Sequence, residues 1–373
     1  MPSYCSPTLM KAADIAMPAQ SEPAAGSGPL SGYAFASGQP PATAMLRHRP
    51  EDFCVDEQLG FEPDGTGDHV WLLIRKSGHN TQWLAAELAR LSGVNERDIG
   101  YAGLKDRHAV TTQWFSIDMA GRREPNWQDL TTDSLTVLRV ERHRRKLRRG
   151  TLTGNRFTIH LRELTGDAAV LEGRLETIKR QGVPNYFGEQ RFGRDNIARA
   201  EAMFAGGLRV KKHQRSIYLS AARSLLFNEV LSQRVAQANW NRCVAGDVMQ
   251  LDGSNSVFRL EQCDEDIDRR LEAFDIHPSG PLWGKGTLMS AEQALAIETA
   301  AIEPYDILCR GLESAGLKQQ RRSLRLVVGD LEWRFSNTDL EMRFFLPAGS
   351  YATVVVREVV RYQSRSSIAL EAD

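Results

Sequence analysis

Segments with the alternation of β-strands sit toward both ends of this 373-residue chain, and helical segments fill the stretch between them. Strands cannot bury their faces or pair their backbones alone, so two separated strand-rich regions imply one sheet whose halves are apart in sequence. The intervening residues then leave that sheet and return to it as an inserted unit. Strand signals fall around Phe53 and Val55, over residues 69–74, 99–104, 113–117 and 135–140, and in the alternation of Phe157, Ile159 and Leu161. Asn80 and Thr81 are placed to cap a helix carrying Leu84, Leu88 and Leu91 on one face and ending at Gly93. A second helix spans 168–181, with Leu171, Leu175 and Ile178 on its inner stripe. After Gly182-Val183-Pro184, residues 195–240 and 264–317 read as mainly helical. Strand signals return at 324–328, 331–335 and 340–346. The β-branched run at 350–362 is ambiguous, and the spacing of Val355, Val359 and Tyr362 favours a helix. No internal repeat is evident.

Residues 1–44 are rich in Pro, Ala, Ser and Gly and lack hydrophobic periodicity, which predicts a flexible extension. Its first residues have neither the basic start nor the apolar core of a secretory signal, and the sequence contains no apolar run long enough to span a bilayer. Cys5, Cys54, Cys243, Cys263 and Cys309 are dispersed, without the short spacings of a zinc site. The expectation is free thiols in a reducing cytoplasm and no metal.

The formal net charge is zero, yet charge is unevenly distributed. Arg142, Arg144, Arg145, Lys146, Arg148 and Arg149 fall within eight residues, with smaller groups at Arg209, Lys211, Lys212 and Arg215 and at Arg321, Arg322 and Arg325. Such runs are commonly solvated faces, and they also suit a phosphate backbone, which responds to local potential rather than net charge.

Nucleotide-binding and hydrolase signatures are missing: there is no GxxxxGK[ST], no GxGxxG after a strand, no HExxH and no GxSxG. The glycine-rich stretch 280–286 lacks Walker spacing and reads as a turn. More informative is the loop Gly103-Leu104-Lys105-Asp106-Arg107-His108. Flanking cations favour the carboxylate of Asp106, and an ionised carboxylate can attack a sugar carbon. By composition alone, the same aspartate could be an exposed turn residue paired with its neighbours.

Residues 101–111, reading YAGLKDRHAVT, resemble the catalytic motif of the TruD family of tRNA pseudouridine-13 synthases. Further segments resemble that family in family order: Pro50-Glu51-Asp52-Phe53, the stretch HRRKLRRGTLTGNRF at 143–157, NYFGEQRFG at 185–193, LSAARS at 219–224 and LPAGS at 346–350. The resemblance implies an α+β fold: a pseudouridine-synthase catalytic domain with a mixed, largely antiparallel sheet, interrupted by a helix-rich α/β insertion, the TRUD domain. The expected boundaries are a catalytic part at 45–181, the insertion at 182–327, the catalytic remainder at 328–366 and a tail at 367–373. Asp106 is implied as nucleophile, with Phe53, Asn155 and Tyr351 lining the nucleotide pocket and Lys105 and Phe157 beside them. The basic run from Arg142 to Arg149 would meet RNA phosphates. Two departures are modest: Arg107 stands where relatives often carry Lys, and Tyr351 where some carry Phe, so its added hydroxyl needs a partner if buried.

The implied reaction breaks the N1–C1′ bond of a uridine, turns the base and joins C5 to C1′, which calls for no cofactor. The expected partner is tRNA, with no membrane and no obligate protein partner. Two other readings fit parts of the pattern: a non-catalytic RNA-binding or RNA-folding protein on the same scaffold, which would not need Asp106, and a nucleoside or glycoside hydrolase, which would release free base.

Overall fold

The computed structural model describes Leu30 and residues 32–364. The first part of the chain builds seven strands, β1 (Thr43–Leu46), β2 (Phe53–Leu59), β3 (His69–Lys76), β4 (Gly100–Tyr101), β5 (Val110–Asp118), β6 (Leu135–His143) and β7 (Leu152–Arg162), with helices α1 (Thr81–Ser92) and α2 (Ala168–Gln181). Both helices start where a side chain satisfies an orphan amide. Asn80 Oδ1 accepts from Trp83 N at 2.7 Å, and Asp167 Oδ1 from Ala169 N at 2.8 Å. Helix α1 stops at Gly93, whose φ of 69° is the left-handed conformation that glycine adopts without steric cost.

The middle of the chain contains β8 (Val183–Pro184), α3 (Asn196–Phe204), α4 (Lys212–Ala236), β9 (Val248–Leu251), β10 (Val257–Arg259), α5 (Glu265–Glu272), β11 (Ile276–Leu282), α6 (Glu292–Ile302), α7 (Asp306–Ser314), β12 (Gln320–Ser323) and β13 (Arg325–Leu326). The last part holds β14 (Gly329–Ser336), β15 (Asp339–Pro347), α8 (Ala352–Val359) and β16 (Arg361–Ser364).

One large sheet runs in the order β14-β15-β7-β2-β5-β3-β6, with β1 joining β7 to β16 and β4 flanking β5. Only the β2–β5 and β1–β16 pairs in it are parallel, so the expected mixed, largely antiparallel sheet is present. Strands from the two ends of the chain are neighbours: Asn155 in β7 lies opposite Leu346 in β15 and Glu57 in β2. The middle residues depart and re-enter at one point, where β8 pairs with β13, Val183 opposite Leu326. Between these strands a second sheet, β10-β9-β11-β12, packs with helices α3 to α7. Leu171, Leu175 and Ile178 of α2 pack with α8 and β14–β15 in the main core, while Leu84 and Leu88 of α1 close a second core over β3, β5 and β6. No helix among the described residues is long and apolar enough to cross a membrane.

Four expectations need correction. Leu30 and residues 32–44 are not a free extension: Leu30 and Tyr33 are buried, and Thr43 begins a strand. Tyr33 stacks on Tyr186, ring centroids 5.4 Å apart, and the partner of β1 is β16. The stabilising contacts come from distant residues, so no local periodicity announces them. Residues 1–29 lie outside the described residues. Second, Pro278, Gly280 and Pro281 belong to strand β11 rather than to a helix or turn. The strand changes partner midway, from β9 to β12, so each half is bonded on one side and tolerates residues that weaken a two-sided strand. Third, Tyr362 lies in β16, because pairing with Ala44 claims it from the preceding helix.

Fourth, Cys243 and Cys263 form a disulfide, with Cα atoms 5.9 Å apart. The β9–β10 hairpin pairs Val248 with Arg259 and brings the residues flanking it together, which a twenty-residue spacing does not advertise. Cys54 and Cys309 are free, and Cys5 lies outside the described residues. Reading a reducing compartment from dispersed cysteines therefore loses one of its premises.

The docked N-terminal segment hangs on Arg357 of α8. Its guanidinium donates to the carbonyls of Tyr33 at 2.8 Å, Ala34 at 3.3 Å and Leu30 at 3.4 Å, pairs with Glu358 at 3.1 Å and lies 4.0 Å from the Phe35 ring centroid. Replacing it strands a buried carboxylate and three carbonyls, so Arg357→Ala should cost about 3–5 kcal/mol. Urea melts should read that loss, and hydrogen exchange should rise across residues 32–42 ahead of the main sheet.

Candidate active site

The loop from Gly103 to His108 crosses the C-terminal end of β4 and is held on three sides. Lys105 N donates to Thr81 Oγ1 at 2.9 Å, Gln113 Nε2 donates to the Gly103 carbonyl at 2.7 Å, and Gly78 N donates to the Arg107 carbonyl at 3.1 Å. Thr81 and Gln113 are themselves bonded at 3.0 Å, which ties the start of α1 to β5 beneath the loop. Asp106 Oδ1 accepts from His108 N at 2.9 Å, and Oδ2 faces an Arg47 guanidinium nitrogen at 3.4 Å. About 30% of the Asp106 side chain remains exposed. The carboxylate is oriented without being sealed.

Its cation is not the one expected. Arg107 Nε donates to His108 Nε2 at 3.0 Å, and Lys105 turns inward, so the charge beside Asp106 is Arg47. Arg47 has a left-handed φ of 59° and lies 4.2 Å above the Phe53 ring centroid. Its only sequence signal is its place six residues before Phe53.

Lys105 Nζ lies 2.8 Å from Glu57 Oε1 and donates to Asn155 Oδ1 at 2.9 Å. Glu57 is buried on the inward phase of β2, in step with Phe53 and Val55, and its other oxygen accepts from Trp114 N at 3.0 Å. Burial pushes the Glu57 carboxyl up, and the charge and hydrogen bond of Lys105 pull it back. Since an ammonium only donates, Asn155 must turn its oxygen to Lys105 and offer its NH₂ outward. Lys76, buried in phase with Leu72 and Ile74 on β3, donates to the His79 carbonyl at 2.8 Å. Charged residues on the apolar phase of two strands were the signal by which Glu57 and Lys76 could have been found.

The aromatic residues divide. Phe53 and Phe157 are 4% and 6% exposed and pack edge to face at 6.1 Å, so both are core side chains, with Arg47 over the Phe53 ring. Tyr351 is half-buried at the N-cap of α8, and its hydroxyl accepts from Arg191 Nε at 3.0 Å, which answers the need for a partner. Gly188 must be glycine here, because a Cβ would come within 2.8 Å of the Tyr351 ring. Arg191 also donates to Ser220 Oγ at 3.0 Å. Three separated motifs, around residues 188, 220 and 351, thus meet at one tyrosine.

The basic run is only partly available. Arg142 is ion-paired with Glu124, His143 is buried, Leu147 packs with Trp71 and Trp114, and Lys146 donates to the Arg97 carbonyl at 2.7 Å. Arg144, Arg145, Arg148 and Arg149 are exposed. Residues 146–149 border an open groove of about 650 Å³ shared with Glu96, Arg97, Gly100 and Tyr101, along the strand that leads into the Asp106 loop. Two of the smaller basic positions are internal: Arg321 pairs with Glu298 at 2.8 Å, and Arg325 donates to the Leu271 and Ile276 carbonyls.

The family model described as tRNA pseudouridine synthase D (TruD) matches residues 31–201 and 195–359. The chain belongs to the TruD family. Similar proteins include the tRNA pseudouridine synthase D of Nitrosococcus oceani, 52% identical over 333 residues, covering 87% of this chain and 93% of the relative. That of Methylococcus capsulatus is 51% identical over 331 residues, covering 88% and 94%. Among solved structures, a putative tRNA pseudouridine synthase D from Methanosarcina mazei has the same fold, with a TM-score of 0.69 at 21% identity over 87% of this chain and 95% of that one.

Burial beside Lys105 brings Lys76 down to about 8 from 10.5, with Asp106 and Glu57 opposing the fall. Between those values the unfolded TruD-family chain holds the Lys76 proton more tightly than the folded one, so stability contributed by this site climbs as pH rises from about 8 to 10.5. Wild type should therefore gain roughly 2–3 kcal/mol over Lys76→Met across that window. Paired urea melts at the two ends of the range check it, and parallel profiles would contradict it.

Proposed function

We propose that this TruD-family protein isomerises one uridine of tRNA, expected at position 13, to pseudouridine with Asp106 as the nucleophile. The observation that carries the reading is the Asp106 carboxylate, fixed by His108 N and Arg47 yet open to a ligand, on the loop whose sequence bears the family motif.

In this mechanism a uridine leaves its stack, at a cost of a few kcal/mol. An aromatic face recovers roughly 1–3 kcal/mol of that. Tyr351 is the accessible ring, while Phe53 becomes available only when Arg47 moves off it and Phe157 backs it from the core. Asn155, held by Lys105, offers its NH₂ to a uracil carbonyl. Asp106 then acts on C1′, either through a covalent ester or by promoting a glycal-like intermediate, and the freed uracil turns so that C5 rejoins C1′. The stretch 182–327, which leaves and re-enters the sheet at paired strands, is read as an inserted domain. Arg144, Arg145, Arg148 and Arg149 contact backbone phosphates and position the RNA without reading its sequence. These four exposed arginines, rather than all six cations, carry the contact.

Asp106→Asn should fold and bind unmodified tRNA with near wild-type affinity while forming no product. Incubation followed by pseudouridine-specific mapping tests both the reaction and its position, and turnover near wild type would falsify the assignment. Replacing Arg144, Arg145 and Arg148 together with alanine should flatten the salt dependence of tRNA affinity by about two to three in log–log slope. An unchanged slope from filter binding across salt concentrations would remove the run from the interface.

A further inference from the structure

Beside Tyr351 lie two arginines that pair with no acid among the described residues. The Arg322 guanidinium is 4.3 Å from the Phe187 ring centroid, and that of Arg191 is 5.5 Å from the same ring. All their side-chain hydrogen-bond partners among the described residues are neutral. Arg191 donates to the Tyr351 hydroxyl and to Ser220 Oγ, each at 3.0 Å. Arg322 donates to Asn185 Oδ1 at 2.6 Å and to the Gly349 carbonyl at 3.3 Å. Arg322 Nε is buried with no partner among the described residues.

Three other inward arginines are matched to acids, Arg234 with Asp247 at 2.7 Å, Arg357 with Glu358 at 3.1 Å and the adjacent Arg321 with Glu298 at 2.8 Å, whereas the buried Arg325 is held by His277 and two carbonyls. Desolvation drops the Arg322 guanidinium to about 10, and the charge on Arg191 pushes the same way. Holding two like charges over one ring is unfavourable unless an anion joins them. Arg191 and Arg322 are half-buried residues rather than fully enclosed ones.

The cluster adjoins the Asp106 site. Gly349 follows closely on Leu346, which lies opposite Asn155, and Ala348 N donates to the Thr153 carbonyl at 3.0 Å. On the other side, burial raises the Glu189 carboxyl while Arg357 and Arg47 lower it, which puts Arg47, the partner of Asp106, within electrostatic reach of the segment that carries Arg191. A nucleotide standing at Tyr351 would bring a flanking phosphate to these arginines. Arginine forks suit phosphate oxygens in geometry as well as charge.

We propose that Arg191 and Arg322 together bind one backbone phosphate next to the extruded uridine, a subsite that seats the target strand against Tyr351. This rests on the functional reading above and adds a specific contact to it. The test uses RNA substrates in which the phosphate on either side of the target uridine is replaced, one at a time, by an uncharged methylphosphonate. Each is compared with an all-phosphate control carrying the same protecting 2′-O-methyl group. Substrate affinity and kcat/KM are measured for wild type, Arg322→Gln and Arg322→Lys, with melts to check folding.

One of the two replacements should weaken wild-type affinity and kcat/KM about tenfold to a hundredfold. Arg322→Gln should show a like loss on all-phosphate RNA, lose about one from the salt slope, and show no further loss on the methylphosphonate. Arg322→Lys should recover part of the affinity. Fully additive losses from the variant and the methylphosphonate, or insensitivity of wild type to both replacements, would overturn the subsite. Failure of wild type to form pseudouridine in unmodified tRNA would instead refute the functional reading, while the affinity comparison would still decide the subsite.

Discussion

The Glu57–Lys105–Asn155 chain joins the centre of the sheet to the loop that presents Asp106. A carboxylate on the inward face of β2 would be costly alone, so it needs the Lys105 ammonium at 2.8 Å. That ammonium in turn fixes which end of the Asn155 amide faces outward. Because Lys105 immediately precedes Asp106, satisfying Glu57 also sets where the loop runs. The site inherits its geometry from an electrostatic requirement of the core.

Around this chain the elements divide the work. The β2–β5 parallel pair and the β7–β15 pair bring residues from both parts of the split sheet to one edge of the site. The start of α1 pins the loop through Thr81. The middle of the chain contributes Arg191 and Ser220 around Tyr351, so the segment that interrupts the sheet also positions a residue of its second part.

Much of the fold was legible because its signals are local. Asn80, Gly93 and Asp167 mark helix ends through contacts within four residues, and α2 occupies 168–181 as its stripe of Leu171, Leu175 and Ile178 requires. What was hidden depends on partners far away in sequence. The N-terminal segment around Tyr33 is held by Tyr186, Glu229 and Arg357, β11 survives its prolines by switching neighbours, and the disulfide needs a hairpin to close it. Asp106, Asn155 and Lys105, named by resemblance, are brought together by the fold, whereas Arg47 required three dimensions to be noticed and Glu57 announced itself only as a charge on the apolar phase of β2. Phe53 and Phe157 stand nearer to core than to open platform, and two of the six cations of the basic run, Arg142 and Lys146, are occupied by internal bonds.

The parallel pairing of β1 with β16, Thr43 beside Arg361, has a consequence for biosynthesis. When β1 leaves the ribosome its outer neighbour does not yet exist, and it stays unmade until β2 to β15 have all been translated. Until then one side of β1 exposes unpaired amides and carbonyls, an edge able to recruit a foreign strand. Closing so long a loop is also entropically demanding and slow. Closure of this edge is therefore a late step, and the nascent chain has the most to gain from a chaperone before β16 emerges.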